Sequence, residues 1–160
     1  MDLRIDSNEG YFKFRVCGIL KHGDKYLGVK INDNNFFCLP GGHVELGEDT
    51  DMAVLREMRE ELGYEVKIKQ LIAINQNFFK HKDGLPFHEL GFYYIVEAVD
   101  EKNVNTDDYI REELDKGKIQ HLVFKWFTKE ELEKVDFRPK FVAKVLNDNK
   151  TNLIVTRDGN

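Results

Sequence analysis

LPGGHVELGEDTDMAVLREMREELGY, residues Leu39 to Tyr64, reads as a glycine turn, a short polar loop and then one helix. Asp49 or Thr50 stands where an N-cap belongs and Gly63 where a helix stops, which predicts a helix over roughly Asp49 to Leu62. With Met52 at zero and about 100° per residue, Glu60, Glu57 and Glu61 fall at roughly 80°, 140° and 180°. Val54, Met58, Leu62 and Leu55 fall between roughly 200° and 300°, an apolar stripe beside the acidic fan. The helix therefore places its carboxylates at the margin of the face it buries.

Carboxylates three and four residues apart repel one another by a few tenths of a kcal/mol per pair. Arg56 and Arg59 offset part of this, Arg56 lying one turn before Glu60. Two readings follow: a solvated acidic face with arginine partners, or a site for a hard cation such as Mg²⁺ or Mn²⁺, which takes clustered carboxylate oxygens. The turn ahead of the helix decides between them. Pro40-Gly41-Gly42 brings bare backbone to the helix start, where carbonyls and amides can face a ligand.

Counted from Gly42, the fixed points Glu48, Arg56, Glu57, Glu60, Glu61 and Gly63 resemble the Nudix box, GX5EX7REUXEEXGU, where U is a bulky aliphatic residue. Every invariant letter is filled. Met58 and Tyr64 depart mildly at two U positions and carry no chemistry. At average residue usage, seven fixed letters coincide by chance in roughly one register in a hundred million.

The resemblance implies an α/β Nudix fold, a mixed sheet sandwiched between helices. It also implies a hydrolase that cleaves a pyrophosphate bond in a nucleoside diphosphate linked to another group, with Mg²⁺ or Mn²⁺ as cofactor. Carried over by position, Glu57, Glu60 and Glu61 are the metal ligands, with the Gly41 carbonyl beside them. Glu57, Arg56 and Glu60 form the catalytic set, Glu57 as the candidate to orient or deprotonate the attacking water. Arg56 is expected to bond Glu48 and the neighbouring carboxylates and so fix their rotamers. Gly42 and Glu48 belong to the loop and the shell behind the ligands; Glu45, outside the fixed letters, either supports the loop or touches the metal shell. A catalytically silent nucleotide sensor of the same fold is the alternative, although such proteins usually lose a box glutamate and none is missing here. An isomerase of this fold would need cysteine and glutamate machinery in the cleft, for which Cys17 and Cys38 look poorly placed.

The composition agrees with this reading. A chain of 160 residues, 41% hydrophobic and 33% charged, fits one domain with a core spanning about 12–146 and polar tails at both ends. A net charge of −5 disfavours binding to a nucleic-acid duplex and asks for a cation between the carboxylates and any phosphate substrate. There is no apolar run of membrane-span length, and MDLRIDSNEG lacks the apolar segment of a signal peptide. Cys17 and Cys38 sit in apolar runs and read as buried, reduced thiols in a cytoplasmic protein. The expected partner is a small nucleotide; a homodimer is compatible with this.

Working outward, YFKFRVCGIL and KYLGVKI read as strands joined by a turn at Lys21–Asp24. The first ten residues look loosely ordered. Val66 to Phe79 reads as a strand whose alternation blurs from Gln70 to Asn77, and HELGFYYIVEAV as a strong strand. A short helix is predicted near Asp107–Leu114, a strand at HLVFKWF, a helix at TKEELEKV with a Thr128–Glu131 capping box, and a final helix over about Pro139 to Leu146.

Candidates outside the box have weaker grounds. Arg15 and Lys30 lie on strands near the expected cleft, either to meet phosphate or as plain surface charges. Glu89 opens a strand after a loop and is either a further carboxylate of the site or a strand-edge glutamate in water. Phe36, Phe78 and Phe79 stack on a base or belong to the core. The five histidines lack metal-ligand spacing. In this family, members favouring ADP-ribose often carry a proline roughly 15 to 17 residues past the box, and those favouring dinucleoside polyphosphates a tyrosine. Phe78, Phe79 and Lys80 stand there instead, so the substrate stays unnamed.

Overall fold

The computed structural model describes residues 1–158. Its strands are β1 (Arg4–Asp6), β2 (Tyr11–His22), β3 (Lys25–Ile31), β4 (Gly41–His43), β5 (Val66–Lys80), β6 (Pro86–Ala98), β7 (Tyr109–Asp115), β8 (Lys118–Thr128) and β9 (Asn152–Arg157). The helices are α1 (Thr50–Leu62), α2 (Lys129–Lys134) and α3 (Val142–Val145). The strand order is β7-β8-β3-β2-β6-β5-β9, with β1 and β4 both pairing on β2. β2–β6 and β5–β9 are parallel; the other pairs are antiparallel, so the sheet is mixed.

Both faces of this sheet are covered, and the apolar runs show why. Along β2, Val16 and Leu20 enter the layer beneath α1, while Cys17 and Ile19 enter the opposite layer against α2 and α3. On β6, Tyr94 and Val96 face α1, and Tyr93 and Ile95 face the other way. A strand buried on both faces reads as continuous apolar sequence, as VCGIL does. The helix–sheet–helix sandwich expected from the sequence is therefore present.

α1 forms where it was read. Asp49 caps it by accepting from the Met52 amide at 2.8 Å, and Gly63 ends it in the left-handed region at φ 82°. That cap contributes about 1 kcal/mol. Ala53, Val54 and Met58 are buried; full burial of a side chain like Met58 contributes roughly 1.5–3 kcal/mol. Thr128 and Glu131 complete the expected capping box on α2.

Five expectations are corrected. Residues 107–114 do not form a helix: Tyr109–Asp115 is an edge strand hairpinned to β8, turning at Lys116 (φ 49°) and Gly117 (φ 78°). Two successive positive φ values match the twist of a tight hairpin, and the Tyr109 ring stacks on Phe124 at 4.6 Å. Tertiary packing outweighs the helix propensity of the glutamates there. The first residues are not loose, because Arg4–Asp6 pairs with Tyr11–Lys13. Gly41–His43 is not a free turn but strand β4, paired with Arg15–Cys17. The final helix shortens to Val142–Val145. The polar tail after Leu146 contains β9, which lies parallel to β5 with Asn77 opposite Thr156.

Candidate active site

One cleft of about 810 Å³ crosses the sheet beside α1. Its lining follows the strand order. Glu113 comes from β7, Leu122 from β8, and Val29 and Ile31 from β3. Arg15 and Cys17 follow from β2, Glu89 and Tyr93 from β6, and Asn77 from β5. Ile154, Val155 and Thr156 from β9 close the far side. Gly41 and Glu61 join the lining where β4 leads towards α1.

Arg56 organises the carboxylates around that point. Its Nε and Nη2 donate to the two Glu48 oxygens at 3.1 and 2.5 Å. Its Nη1 donates to Glu57 Oε1 at 2.8 Å, and Nη2 also donates to the His43 carbonyl at 3.0 Å. Glu48 in turn accepts from the Glu45 amide at 2.7 Å, closing the loop, while the Glu45 carboxylate stays 3.8 Å from Arg56. The guanidinium beside Glu48 holds that carboxyl below the usual range. The planar fork thus makes four hydrogen bonds to four oxygens at once, one more than the three N–H groups of an ammonium can supply.

Replacing Arg56 by lysine is therefore expected to lower unfolding stability by about 2 kcal/mol, since two partly buried acceptors lose a donor. Arg59→Lys, at a solvent-exposed pair with Glu65, should leave the urea midpoint unchanged. Equal midpoints for the two variants would refute the organising role of Arg56.

Glu57 and Glu61 are crowded and short of counter-charge. Burial raises the Glu57 carboxyl in spite of Arg56. Burial, and then the nearby Glu113 carboxylate, push Glu61 up to about 7. Arg111 only partly compensates: it lies 3.8 Å from the Glu61 carboxylate and donates to the Glu61 carbonyl. Glu60 is more exposed and lies 3.5 Å from Arg56. A Cβ on Gly42 would come within 2.4 Å of the Glu57 carboxylate, so the glycine leaves the space in which that group sits.

All-oxygen donors with surplus negative charge suit a hard divalent cation, so the residues fit Mg²⁺ or Mn²⁺. The carboxylates do not already converge, and among the described residues no group of three or more acidic, histidine or cysteine side chains stands in ligating geometry. Glu57 gives only its Oε1 to Arg56, whereas Glu61 is drawn towards Arg111, so a cation shared by the two requires Glu61 to turn towards Glu57.

The weaker candidates divide. Arg15 and Glu89 both line the cleft, 3.6 Å apart, and the Arg15 Nε is buried without a partner. Lys30 is not brought to the cleft: it falls between Val29 and Ile31, which are, and its Nζ lies 5.6 Å from the Phe37 ring centroid. Phe79 is held further along its strand in a stack with Phe87 at 4.5 Å, and Phe78 stacks on His88. Phe36 is covered by Arg138 at 4.0 Å.

Cys17 and Cys38 do line the cleft, contrary to expectation, as free thiols. Burial pushes Cys17 up to about 12 and raises Cys38 as well, so neither is a thiolate nucleophile. Glu113, Asn77, Tyr93, Thr156 and Lys144 are cleft residues the sequence reading missed. The inward alternation Tyr109, Arg111, Glu113 was the signal available for the first of them.

Comparison with known proteins follows the same lines. The NUDIX domain model matches residues 15–147. The ADP-ribose pyrophosphatase of Methanocaldococcus jannaschii is 34% identical over 87 residues, covering 52% of this chain and 50% of that protein. The RNA pyrophosphohydrolase of Wolbachia pipientis is 34% identical over 55 residues, covering 32% of this chain and 34% of that protein. The chain spans about half the length of the curated relatives it matches, from 34% to 60% of each. Among solved structures, a NUDIX hydrolase from Nitrosomonas europaea superposes with a TM-score of 0.60 at 17% identity, covering 91% of this chain and 79% of that one. At that identity the likeness concerns the fold.

Proposed function

Because the chain belongs to the NUDIX family, we propose that it is a Mg²⁺- or Mn²⁺-dependent pyrophosphohydrolase acting on a nucleoside diphosphate linked to another group. The observation that carries this reading is the half-buried carboxylate pair Glu57 and Glu61, short of counter-charge beside Gly41 and Gly42, with Glu57 steadied by Arg56.

In this reading Glu57, Glu60, Glu61 and the Gly41 carbonyl hold the cation. The bound cation neutralises diphosphate charge and lowers the pKa of a water. The protein's own residues then supply position and shape. Glu57 orients the water and takes its proton; Arg56 holds Glu57 in place through a hydrogen bond and is itself held by Glu48. Arg15, with its buried unpartnered Nε, donates to a phosphate oxygen, and Glu89 keeps Arg15 aimed along the cleft. Such alignment is most of what phosphoryl transfer asks of a protein. Residues 12–146 form the catalytic domain in this reading. It also places the chain in the cytoplasm, where free thiols such as Cys17 and Cys38 persist.

Release of nucleoside monophosphate from a panel of nucleoside diphosphate derivatives with Mg²⁺ tests the proposal, and a panel with no product beyond background refutes it. Metal binding should also stabilise the fold, because the cation relieves repulsion present only when Glu57 and Glu61 are brought together. At a concentration ten to one hundred times its dissociation constant the gain is about 1.4–2.7 kcal/mol. That is a rise of several degrees in thermal midpoint. An unchanged midpoint at saturating Mg²⁺ would mean these carboxylates hold no cation.

A further inference from the structure

The far side of the cleft is built by β9, which lies beyond residues 15–147 that the family model matches. Its register sets Thr156 opposite Asn77 and Ile154 opposite Asn75 on β5. Asn75 is 1% exposed, the one fully buried polar side chain among the described residues. A buried carboxamide needs partners, and β9 supplies one. The Thr156 hydroxyl accepts from Asn75 Nδ2 at 3.2 Å and lies 2.8 Å from Asn77 Oδ1 but 3.3 Å from Asn75 Oδ1.

A hydroxyl has one proton to give, and the shorter contact takes it. Asn75 therefore fixes Thr156 as an acceptor, and Thr156 fixes Asn77 by donating to its carbonyl oxygen. The Asn77 Nδ2, with two N–H groups, is left without an acceptor among the described residues, on a side chain that lines the cleft.

The rest of the lining says what that amide meets. Glu61 and Glu113 lie towards the β7 edge; Lys140 and Lys144 reach the cleft from the segment packed over β6, where Phe141 meets the Tyr93 ring at 5.1 Å. Between the two halves stands Arg15. Val29, Ile31 and Leu122 make an apolar wall on the β3–β8 side, suited to a nucleobase. With the diphosphate at Glu61 and Arg15, the β9 side receives whatever the diphosphate carries.

We propose that Asn77 is a specificity-determining residue that donates to oxygen acceptors of the group attached beyond the diphosphate. Asn75 and Thr156 are the positioning residues that fix its amide. The acceptors are the hydroxyls of a sugar or the oxygens of a further phosphoryl group, both oxygen-rich and both compatible with Lys140 and Lys144. This rests on the hydrolase reading for what occupies the acidic half. It adds that a strand outside the family-matched span positions the residue that selects the substrate.

The test compares wild type, Asn77→Leu, Thr156→Val and Thr156→Ser on ADP, ADP-ribose and ATP and on UDP, UDP-glucose and UTP, each with Mg²⁺. Asn77→Leu should raise KM about tenfold for the substrates carrying the selected group, with kcat within about twofold, because a contact made equally in ground and transition states is lost. ADP and UDP should change less than about twofold. Thr156→Val should show the same pattern more weakly, and Thr156→Ser should recover wild-type values. Loss confined to the nucleotide sugars identifies a sugar; loss confined to the triphosphates identifies a phosphoryl group.

If wild type turns over nothing in the panel, the hydrolase reading fails, and dissociation constants of the same ligands by calorimetry take the place of KM. If Asn77→Leu does not fold, the Thr156→Val and Thr156→Ser pair decides. Equal weakening for every ligand including the bare diphosphates, a fall in kcat at constant KM, no change, or Thr156→Ser behaving like Thr156→Val would each overturn the proposal.

Discussion

Glu61→Gln is expected to lower turnover by about two to four orders of magnitude, as when metal-assisted activation of water is lost. The side chain lies one helical turn beyond Glu57 and lines the cleft, with Glu113 as a like-charged neighbour and Arg111 as a distant partner at 3.8 Å. Glutamine keeps the volume and still offers a carbonyl oxygen. What it removes is the negative charge that the proposed cation requires. The folded protein should be as stable or slightly more so, because repulsion from Glu57 and Glu113 disappears with the charge. Glu133→Gln, at an exposed position on α2, is the control and should alter neither rate nor thermal midpoint. Rates at saturating Mg²⁺ and midpoints for both variants settle the matter. Wild-type turnover from Glu61→Gln would mean that the carboxylate is not part of the cation site, however well the spacing matches.

Much of this centre was legible because it is local. The cap at Asp49, the stop at Gly63 and the 3.6-residue period place Glu57, Glu60 and Glu61 relative to one another without knowledge of any other strand. What was not legible depends on pairing across the chain. Glu113 reaches Glu61 only because Tyr109–Asp115 folds back on β8, and its glutamate-rich sequence favours a helix until that partner is present. β9 was passed over as polar tail because two of its three inward positions, Asn152 and Thr156 on either side of Ile154, are polar, while its apolar Leu153 and Val155 are exposed. The blur from Gln70 to Asn77 has two origins. The strand is bulged between Ile68 and Gln70 and between Leu71 and Ala73, and its inward positions Asn75 and Asn77 carry polar side chains bonded to β9. Periodicity scores such polar residues as noise, although they mark the cleft.

Gly42→Ala should cost turnover about two orders of magnitude or more while leaving the fold nearly intact, since displacing a reacting group by about 1 Å is enough for a loss of that size. Sequence reasoning assigns Gly41-Gly42 the task of bringing backbone to the helix start. The structure gives Gly42 a different one. It sits in β4, paired with Val16, and a Cβ there would lie 2.4 Å from the Glu57 carboxyl carbon and from both its oxygens. Three contacts far inside van der Waals distance cannot coexist with the carboxylate where it now stands. Glu57 is the flexible partner, so it swings away, breaking the 2.8 Å bond from Arg56 that holds it. Gly41 is not a usable control, because a Cβ on it would meet the Val16 carbonyl oxygen at 2.1 Å and disturb the strand pairing itself. The better control is Gly42→Ala combined with Glu57→Ala, where the clash is gone. The double variant should be no slower than Glu57→Ala alone, because residues that act as one unit do not add. Full activity in Gly42→Ala would show that the carboxylate does its work from another position. A double variant much slower than Glu57→Ala would show that the glycine serves the backbone after all.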